Sequence, residues 1–258
     1  MAQRWRLIDS GPGEPSWNMA VDEALVTRHA RGESPPVLRL YTWSPPALSL
    51  GYFQKTAGIR FDLLDNLGIV PVRRSTGGRA VLHYGDLTYS LAVSLGQGIP
   101  HGLVDSFRYL CQGLLETFAS LGIEARLGSD RLRQPFPAAC FALATPGDIT
   151  WRGRKFVGSA QKRFDTTILQ HGSILVRSQG EILCKLFSDT ERVKPQALLE
   201  KITCLEEILG RQVALEEVAA ALTRGFKNAL NIDFQPDRLT GKEENLATSL
   251  VGKYARLV

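Results

Sequence analysis

Arg73-Arg74-Ser75-Thr76-Gly77-Gly78-Arg79-Ala80-Val81-Leu82-His83, continuing through Asp86 to Tyr89-Ser90, lies between two largely apolar segments, residues 69–72 and 87–95. Adjacent glycines let the backbone take positive φ and approach a ligand closely, with amides facing a charged or carbonyl-bearing group. Arginines on either side suit the holding of such a group. Gly-Gly is equally a hairpin signal, with residues 80–82 as the return strand. A plain hairpin leaves the density of polar groups between apolar segments unexplained.

Upstream of this stretch, residues 5–9 read as a short strand and Gly11-Pro12-Gly13 as a breaker. Ser16 is placed to N-cap a helix reaching about residue 29, with Met19, Leu25 and Val26 on its buried side. Asp22 and Glu23 fall in early turns, where the helix dipole favours carboxylates, and that is a sufficient reason for them. Residues 37–43 alternate as a half-buried strand, and residues 47–53 read as the next strand, with Gly51 a bulge or a point of close approach. A short helix over 61–66 leads into the opening motif.

Downstream, residues 104–121 have the spacing of an amphipathic helix with Cys111 in its core face, and 123–127 read as a strand. Residues 128–146 carry Pro135, Pro137 and Pro146 with Phe136 and Phe141 and no periodicity, the pattern of a long binding or lid loop. Cys140 sits in its middle, either a buried anchor or a reactive thiol. A hairpin follows, residues 149–151 with 155–164, whose second strand contains Gly158-Ser159-Ala160-Gln161; 166–176 is the next strand and holds His171-Gly172-Ser173. Small residues between Lys155 and His171 suggest backbone lying along a ligand, the alternative being a surface lysine and a core histidine. The remainder reads as helical: 180–186, 195–202, 205–209, 215–230 and 242–254.

The chain of 258 residues is 44% hydrophobic and 22% charged, ordinary for a globular protein with a sizeable core. No apolar run is long enough to span a bilayer, and Met-Ala-Gln-Arg-Trp-Arg lacks the apolar centre of a signal peptide, so a cytoplasmic protein is expected, with no membrane association. The net charge of +5 permits nucleic acid or acidic protein partners, but no dense Lys/Arg run or helix-turn-helix pattern supports nucleic acid. The four cysteines form no Cys-x-x-Cys pair, so neither a metal site nor a disulfide framework is expected.

Four motifs together carry a resemblance: Arg73-Arg74-x-Thr76-Gly77-Gly78-Arg79-Ala80-Val81-Leu82-His83, Gly153-x-Lys155-x-x-Gly158-Ser159-Ala160-Gln161, Gln170-His171-Gly172-Ser173, and Asn18-Met19-Ala20-x-Asp22-Glu23. With these motifs consistently spaced over roughly residues 1–230, the chain resembles the lipoate/biotin protein ligase superfamily, and within it the cysteine-dependent octanoyl transferase branch. ATP-dependent lipoate ligases typically carry a third glycine where this chain has Arg79, and they need no cysteine. The resemblance implies an α+β catalytic-domain fold, a mixed, largely antiparallel sheet packed with helices, over residues 1–210, with a small C-terminal helical extension, 211–258, packed on it.

It also implies an acyltransferase of lipoate biosynthesis that takes octanoate from octanoyl-acyl carrier protein to a lysine of a lipoyl domain, such as that of glycine cleavage H protein, through a cysteine thioester and without a cofactor. Cys140 matches the nucleophile and Lys155 the characteristic lysine of the family. Arg73, Thr76, Gly77, Gly78, Arg79, His83, Gly158, Ser159, Ala160 and His171 are then expected to bind substrate, and Val81, Leu82 and the strand around Phe156 to wall the acyl chain. The alternatives are an ATP-dependent ligase, an amidotransferase between lipoyl domains and, more distantly, a non-catalytic acyl- or nucleotide-binding module.

Overall fold

The structure, a computed structural model, describes residues 2–96, 98–128, 147–187 and 199–255. In chain order its elements are β1 (Gln3–Gly13), α1 (Pro15–Ala30), β2 (Val37–Trp43), β3 (Ala47–Leu50), α2 (Phe61–Asn66), β4 (Val70–Arg73), β5 (Val81–His83), β6 (Asp86–Ser94), α3 (Leu103–Ser120), β7 (Arg126–Leu127), β8 (Ile149–Trp151), β9 (Arg154–Phe164), β10 (Thr167–Leu175), α4 (Gly180–Leu186), α5 (Leu205–Leu209), α6 (Leu215–Leu230), β11 (Ile232–Asp237) and α7 (Gly241–Tyr254).

An 8-stranded sheet in the order β11-β1-β2-β6-β10-β9-β8-β7 forms the body, and a 3-stranded sheet, β4-β3-β5, sits beside it. The strands β11, β1 and β2 run parallel to one another, and every later pairing in the large sheet is antiparallel. This is the mixed, largely antiparallel α+β architecture expected. On one side of the large sheet, Leu38, Leu91, Val93, Ile168 and Ile174 pack with Leu110, Leu114 and Phe118 of α3 and Leu222 and Phe226 of α6. On the other side, Val37, Tyr41, Ala92 and Leu169 pack with α1 and with Ala247 and Tyr254 of α7. A third cluster, including Leu48, Leu50, Val81 and Leu82, joins the small sheet to α2 and α4.

Several local expectations are corrected. The opening motif is not the turn of a hairpin: β4 and β5 do not pair with each other but flank β3, parallel and antiparallel to it respectively. The glycine pair therefore lies in a crossover past the end of β3. Gly11-Pro12-Gly13 does not break β1; the strand absorbs it through a register shift between Asp9 and Pro12, with Gly11 at φ +59°. Pro15, not a residue after Ser16, opens α1, because its ring presets the helical φ and its missing N–H is one the first turn leaves unpaired anyway. The strand β2 is not half-buried: residues 37–41 are buried on both faces, Arg39 included. The predicted strand 47–53 ends at Leu50, and 123–127 contracts to Arg126–Leu127.

In the polar C-terminal portion, β11 was missed. Its pattern is mostly exposed and contains Pro236, which an edge strand tolerates, and it is held by parallel pairing with β1. The β8–β9 hairpin is present as expected, turning through Arg152 and Gly153, both at positive φ. No described helix is long and apolar enough to cross a membrane.

Candidate active site

The opening motif is locked by its own arginines. From Arg74, Nη1 donates to the Ser49 carbonyl at 2.9 Å, while Nη2 donates to the Gly77 and Arg79 carbonyls at 2.8 and 2.7 Å. Arg73 Nη1 donates to the carbonyls of Gly51 and Gln54 at 2.8 and 2.9 Å. The basic pair thus fixes backbone, and the Arg79 carbonyl is one of the groups fixed. Gly51 is a point of close approach, as predicted: a Cβ there would stand 1.9 Å from the Gly78 carbonyl oxygen. With Gly78 at φ +96°, the two glycines remain exposed at the tip while Ser75 and Thr76 turn inward and are buried.

Those two hydroxyls lead to two consecutive carboxylates of α1. Thr76 Oγ1 lies 2.6 Å from His171 Nε2, and His171 Nδ1 lies 3.1 Å from Asp22 Oδ2. An ionised carboxylate only accepts, so Nδ1 carries a proton toward Asp22, leaving Nε2 to meet the Thr76 hydroxyl. Asp22 also accepts from Arg39 Nη1 at 2.8 Å, Tyr41 Oη at 2.9 Å and Ser90 Oγ at 2.8 Å. Burial pushes its pKa up, but the His171 hydrogen bond, the Arg39 charge and the remaining bonds outweigh that and hold the carboxyl below its ordinary value. In parallel, the Tyr254 hydroxyl at the end of α7 donates to Glu23 and is hydrogen-bonded to Ser75.

His83 belongs to a separate buried cluster. Its Nε2 meets Ser49 Oγ and its Nδ1 meets Asp86 Oδ2, each at 2.8 Å, and its ring stacks on Trp43 with centroids 4.0 Å apart. Both ring nitrogens are engaged inside the protein, so it ties the small sheet to the large one.

Lys155 is placed by a defect in the strand pairing. Ile149 pairs with Val157 while Thr150 pairs with Lys155, leaving Phe156 as an extra residue, a β-bulge. Phe156 and Val157 consequently both enter the core cluster against α3, with Phe156 packed on Phe118 at 4.7 Å between ring centroids. Lys155, across the bulge, meets Asp148: Nζ and Oδ1 are 2.9 Å apart, with the side chains 1% and 2% exposed. Further along β9, Gly158, Ser159 and Ala160 pair with Ser173, Gly172 and His171. The small Ala160 therefore lies beside the His171 ring, and Ser159 Oγ is 2.8 Å from the Tyr89 hydroxyl.

The structure thus brings Thr76 of the crossover loop to His171 on β10 and sets Gly158, Ser159 and Ala160 beside it on β9, with Lys155 near the start of β9. It does not unite the expected walls of the acyl site, since Val81 and Leu82 belong to the small-sheet cluster and Phe156 to the main core. Cys140 lies outside the described residues. The described cysteines are poor nucleophiles: burial pushes the Cys111 thiol up to about 12 and also raises Cys184 and Cys204. Asp22 was quoted in a motif but given no role beyond the helix dipole, and Arg39, Tyr41 and Asp148 were missed by sequence reasoning. An arginine in an apolar strand and a carboxylate between Met19 and Val26 on a buried helix face were the available signals; for Asp148 there was none.

Known proteins similar to this chain share one family. The family described as lipoyl protein ligase A/B catalytic domain matches residues 14–227. Among curated relatives, octanoyltransferase LipM of Kyrpidia tusciae is 41% identical over 264 residues, covering 98% of this chain and 96% of the relative. Octanoyltransferase LipM of Staphylococcus aureus is 37% identical, covering 98% and 97%. Among solved structures, lipoate-protein ligase A bound with ATP superposes with a TM-score of 0.81 at 29% identity, covering 98% of this chain and 95% of that one. A bipartite lipoate protein ligase from Thermoplasma acidophilum, from a study with its E2 lipoyl domain, gives 0.79 at 28% identity, covering 98% and 93%.

Proposed function

Because this chain belongs to the lipoyl protein ligase A/B catalytic-domain family, we propose that it is an octanoyltransferase of lipoate biosynthesis, moving octanoate from octanoyl-acyl carrier protein to a lysine of a lipoyl domain such as glycine cleavage H protein. The observation that carries this reading is end-to-end similarity to curated octanoyltransferases in a chain whose characteristic lysine is buried and ion-paired at one end of a track of small residues. On β9, Lys155 is five positions from Ala160, the partner of His171, about 16 Å at strand rise. That span can accommodate an extended eight-carbon acyl chain lying over Gly158 and Ala160.

In the first step the Cys140 thiolate attacks the carbonyl carbon of the donor thioester; the tetrahedral intermediate collapses, expelling the carrier thiolate, which takes up a proton. In the second, the neutral ε-amine of the acceptor lysine attacks the octanoyl-Cys140 carbonyl, expels the Cys140 thiolate and loses a proton, leaving an amide. Lys155, as an ammonium, donates to the carbonyl oxygen as negative charge develops on it in both steps. Thioester exchange is nearly isoenergetic and amide formation is downhill, so ATP is not needed. The raised thiols of Cys111, Cys184 and Cys204 favour Cys140 for the covalent role.

Intact-mass analysis after incubation with octanoyl-acyl carrier protein tests the proposal. An octanoyl adduct removable by hydroxylamine is expected on the wild type and not on Cys140→Ala, which is also expected to lose transfer to a lipoyl domain. Transfer that survives in Cys140→Ala and requires ATP with free octanoate would establish the ligase reading instead.

A further inference from the structure

We propose that Asp148 is a positioning residue of this reaction: its carboxylate holds the Lys155 ammonium, charged and in one rotamer, where the thioester carbonyl oxygen must sit. The inference rests on the reading of Lys155 as the oxyanion partner and adds a residue to which no role has been attached. Asp148 Oδ1 is 2.9 Å from Lys155 Nζ and both side chains are almost wholly buried. A buried ammonium without a counter-charge tends to give up its proton, and a neutral amine is a much weaker partner for an oxyanion.

The surrounding backbone is arranged to keep this pair in register. The Gly128 N–H donates to the Asp148 carbonyl at 2.8 Å, tying down the main chain just before β8. The Lys155 N–H donates to the Lys201 carbonyl at 2.7 Å, and the Lys155 carbonyl accepts from Thr203 N–H at 2.9 Å. The bulge at Phe156 then keeps the lysine out of the face that Phe156 and Val157 fill. Other ionisable groups on the elements packed around this part of the sheet have partners of their own: Arg154 pairs with Glu207, Arg177 with Glu206, His171 with Asp22 and His83 with Asp86. Cys111 on α3 and Cys204 before α5 are thiols that burial keeps protonated.

The test is the rate of the first half-reaction, acyl-enzyme formation without acceptor, followed by quenched intact mass across pH. In the wild type the rate rises as Cys140 ionises and falls at high pH as Lys155 loses its proton. Asp148→Asn is expected to slow acylation by roughly 10²-fold and to move the high-pH limb to lower pH, because the buried ammonium loses the Asp148 counter-charge. Asp148→Glu restores the charge but displaces it, so its limb stays at the wild-type position while its rate falls by about tenfold.

A folded Asp148→Asn protein with the wild-type rate, or a slowed one with an unmoved limb, overturns the inference. Should Asp148→Asn fail to fold, Asp148→Glu decides: the reduced rate with the limb retained supports it, and the wild-type rate overturns it. Absence of any octanoyl adduct on the wild type sinks the underlying reading and this inference together. A wild-type adduct with unaltered Asp148 variants sinks the inference alone.

Discussion

The strands β6 and β10 are buried along almost their whole lengths, yet their two faces have different chemistry. Toward α3 and α6 they present Leu91, Val93, Ile168 and Ile174 to an apolar core. Toward α1 and the opening motif the buried groups are Thr88, Ser90, His171 and Ser173, joined to Asp22, Arg39 and Asp86. Burial of apolar surface contributes about 25 cal/mol per Å². A buried hydrogen bond contributes only about 0.5–1.5 kcal/mol net, and a buried polar atom left without a partner costs more than that. The α1 side is therefore a poor way to gain stability and a good way to fix a shape: each hydroxyl and carboxylate has one place to go, and the motif loop is anchored to them through Ser75 and Thr76.

The contrast can be broken most severely at Asp22. Asp22→Asn removes the negative counter-charge of buried Arg39 and replaces one of the two accepting oxygens, which take Arg39 and Ser90 or Tyr41 and His171, with a donor-only amide, so a loss of about 3–5 kcal/mol in urea unfolding is expected. The wild type should also show an acid dependence that this variant lacks. The folded Asp22 carboxyl lies below its ordinary value, so the folded state favours the ionised form. Its contribution is complete above the unfolded carboxylate pKa of about 3.9 and disappears as pH falls through the lower folded value. Urea midpoints measured between neutral pH and strong acid should steepen in that acid window for the wild type and flatten for Asp22→Asn.

A middle-sized effect is expected where the two faces meet through one backbone. At Gly172 a Cβ would come within 2.6 Å of Ser159 Oγ, 2.7 Å of the Gly158 carbonyl and 2.7 Å of the Tyr89 ring. The carbonyl cannot swing aside, so Gly172→Ala should cost about 1–3 kcal/mol in thermal unfolding. It should also lower the transfer rate by pushing β9 away from β10. A crystal structure of that variant with an undisplaced β9 would contradict this account of the glycine.

The smallest effect belongs to the apolar face. Ile168→Val trims one methylene from the core and should cost about 0.5–1.5 kcal/mol while leaving transfer kinetics and their pH dependence unchanged. A change in the pH profile from this substitution would mean that the two faces are coupled more tightly than their packing implies.

Much of this was legible in the sequence because it depends on local periodicity. The helical spacing of α3 and the turn signal at Gly153 are carried by near neighbours in the chain. Cys140 and Lys155 stood out through the motifs around them. Asp22, although part of a motif, was given no site role, because the helix dipole already accounts for a carboxylate early in α1, and its four partners come from β2, β6 and β10. Asp148 did not stand out because its partner lies across a hairpin whose register includes an unpredictable extra residue. The crossover of the opening motif was misjudged because a double glycine has the same local freedom whether its flanking strands pair with each other or with a third strand.

The sequence by itself determined the α+β character of the chain, most of its helices and strands, and the family to which its motifs assign it, since all of these are recorded in residue type and spacing. The tertiary structure alone decided which polar residues became a network and which remained outside it. It made β11 a strand by giving it β1 to pair with, and set Arg73 and Arg74 to hold backbone carbonyls on either side of the motif. It also aimed Lys155 at Asp148 through the Phe156 bulge. The physical reason is common to these cases: an unpaired backbone edge, a buried charge and a strand register are each satisfied only by partners far away in the chain.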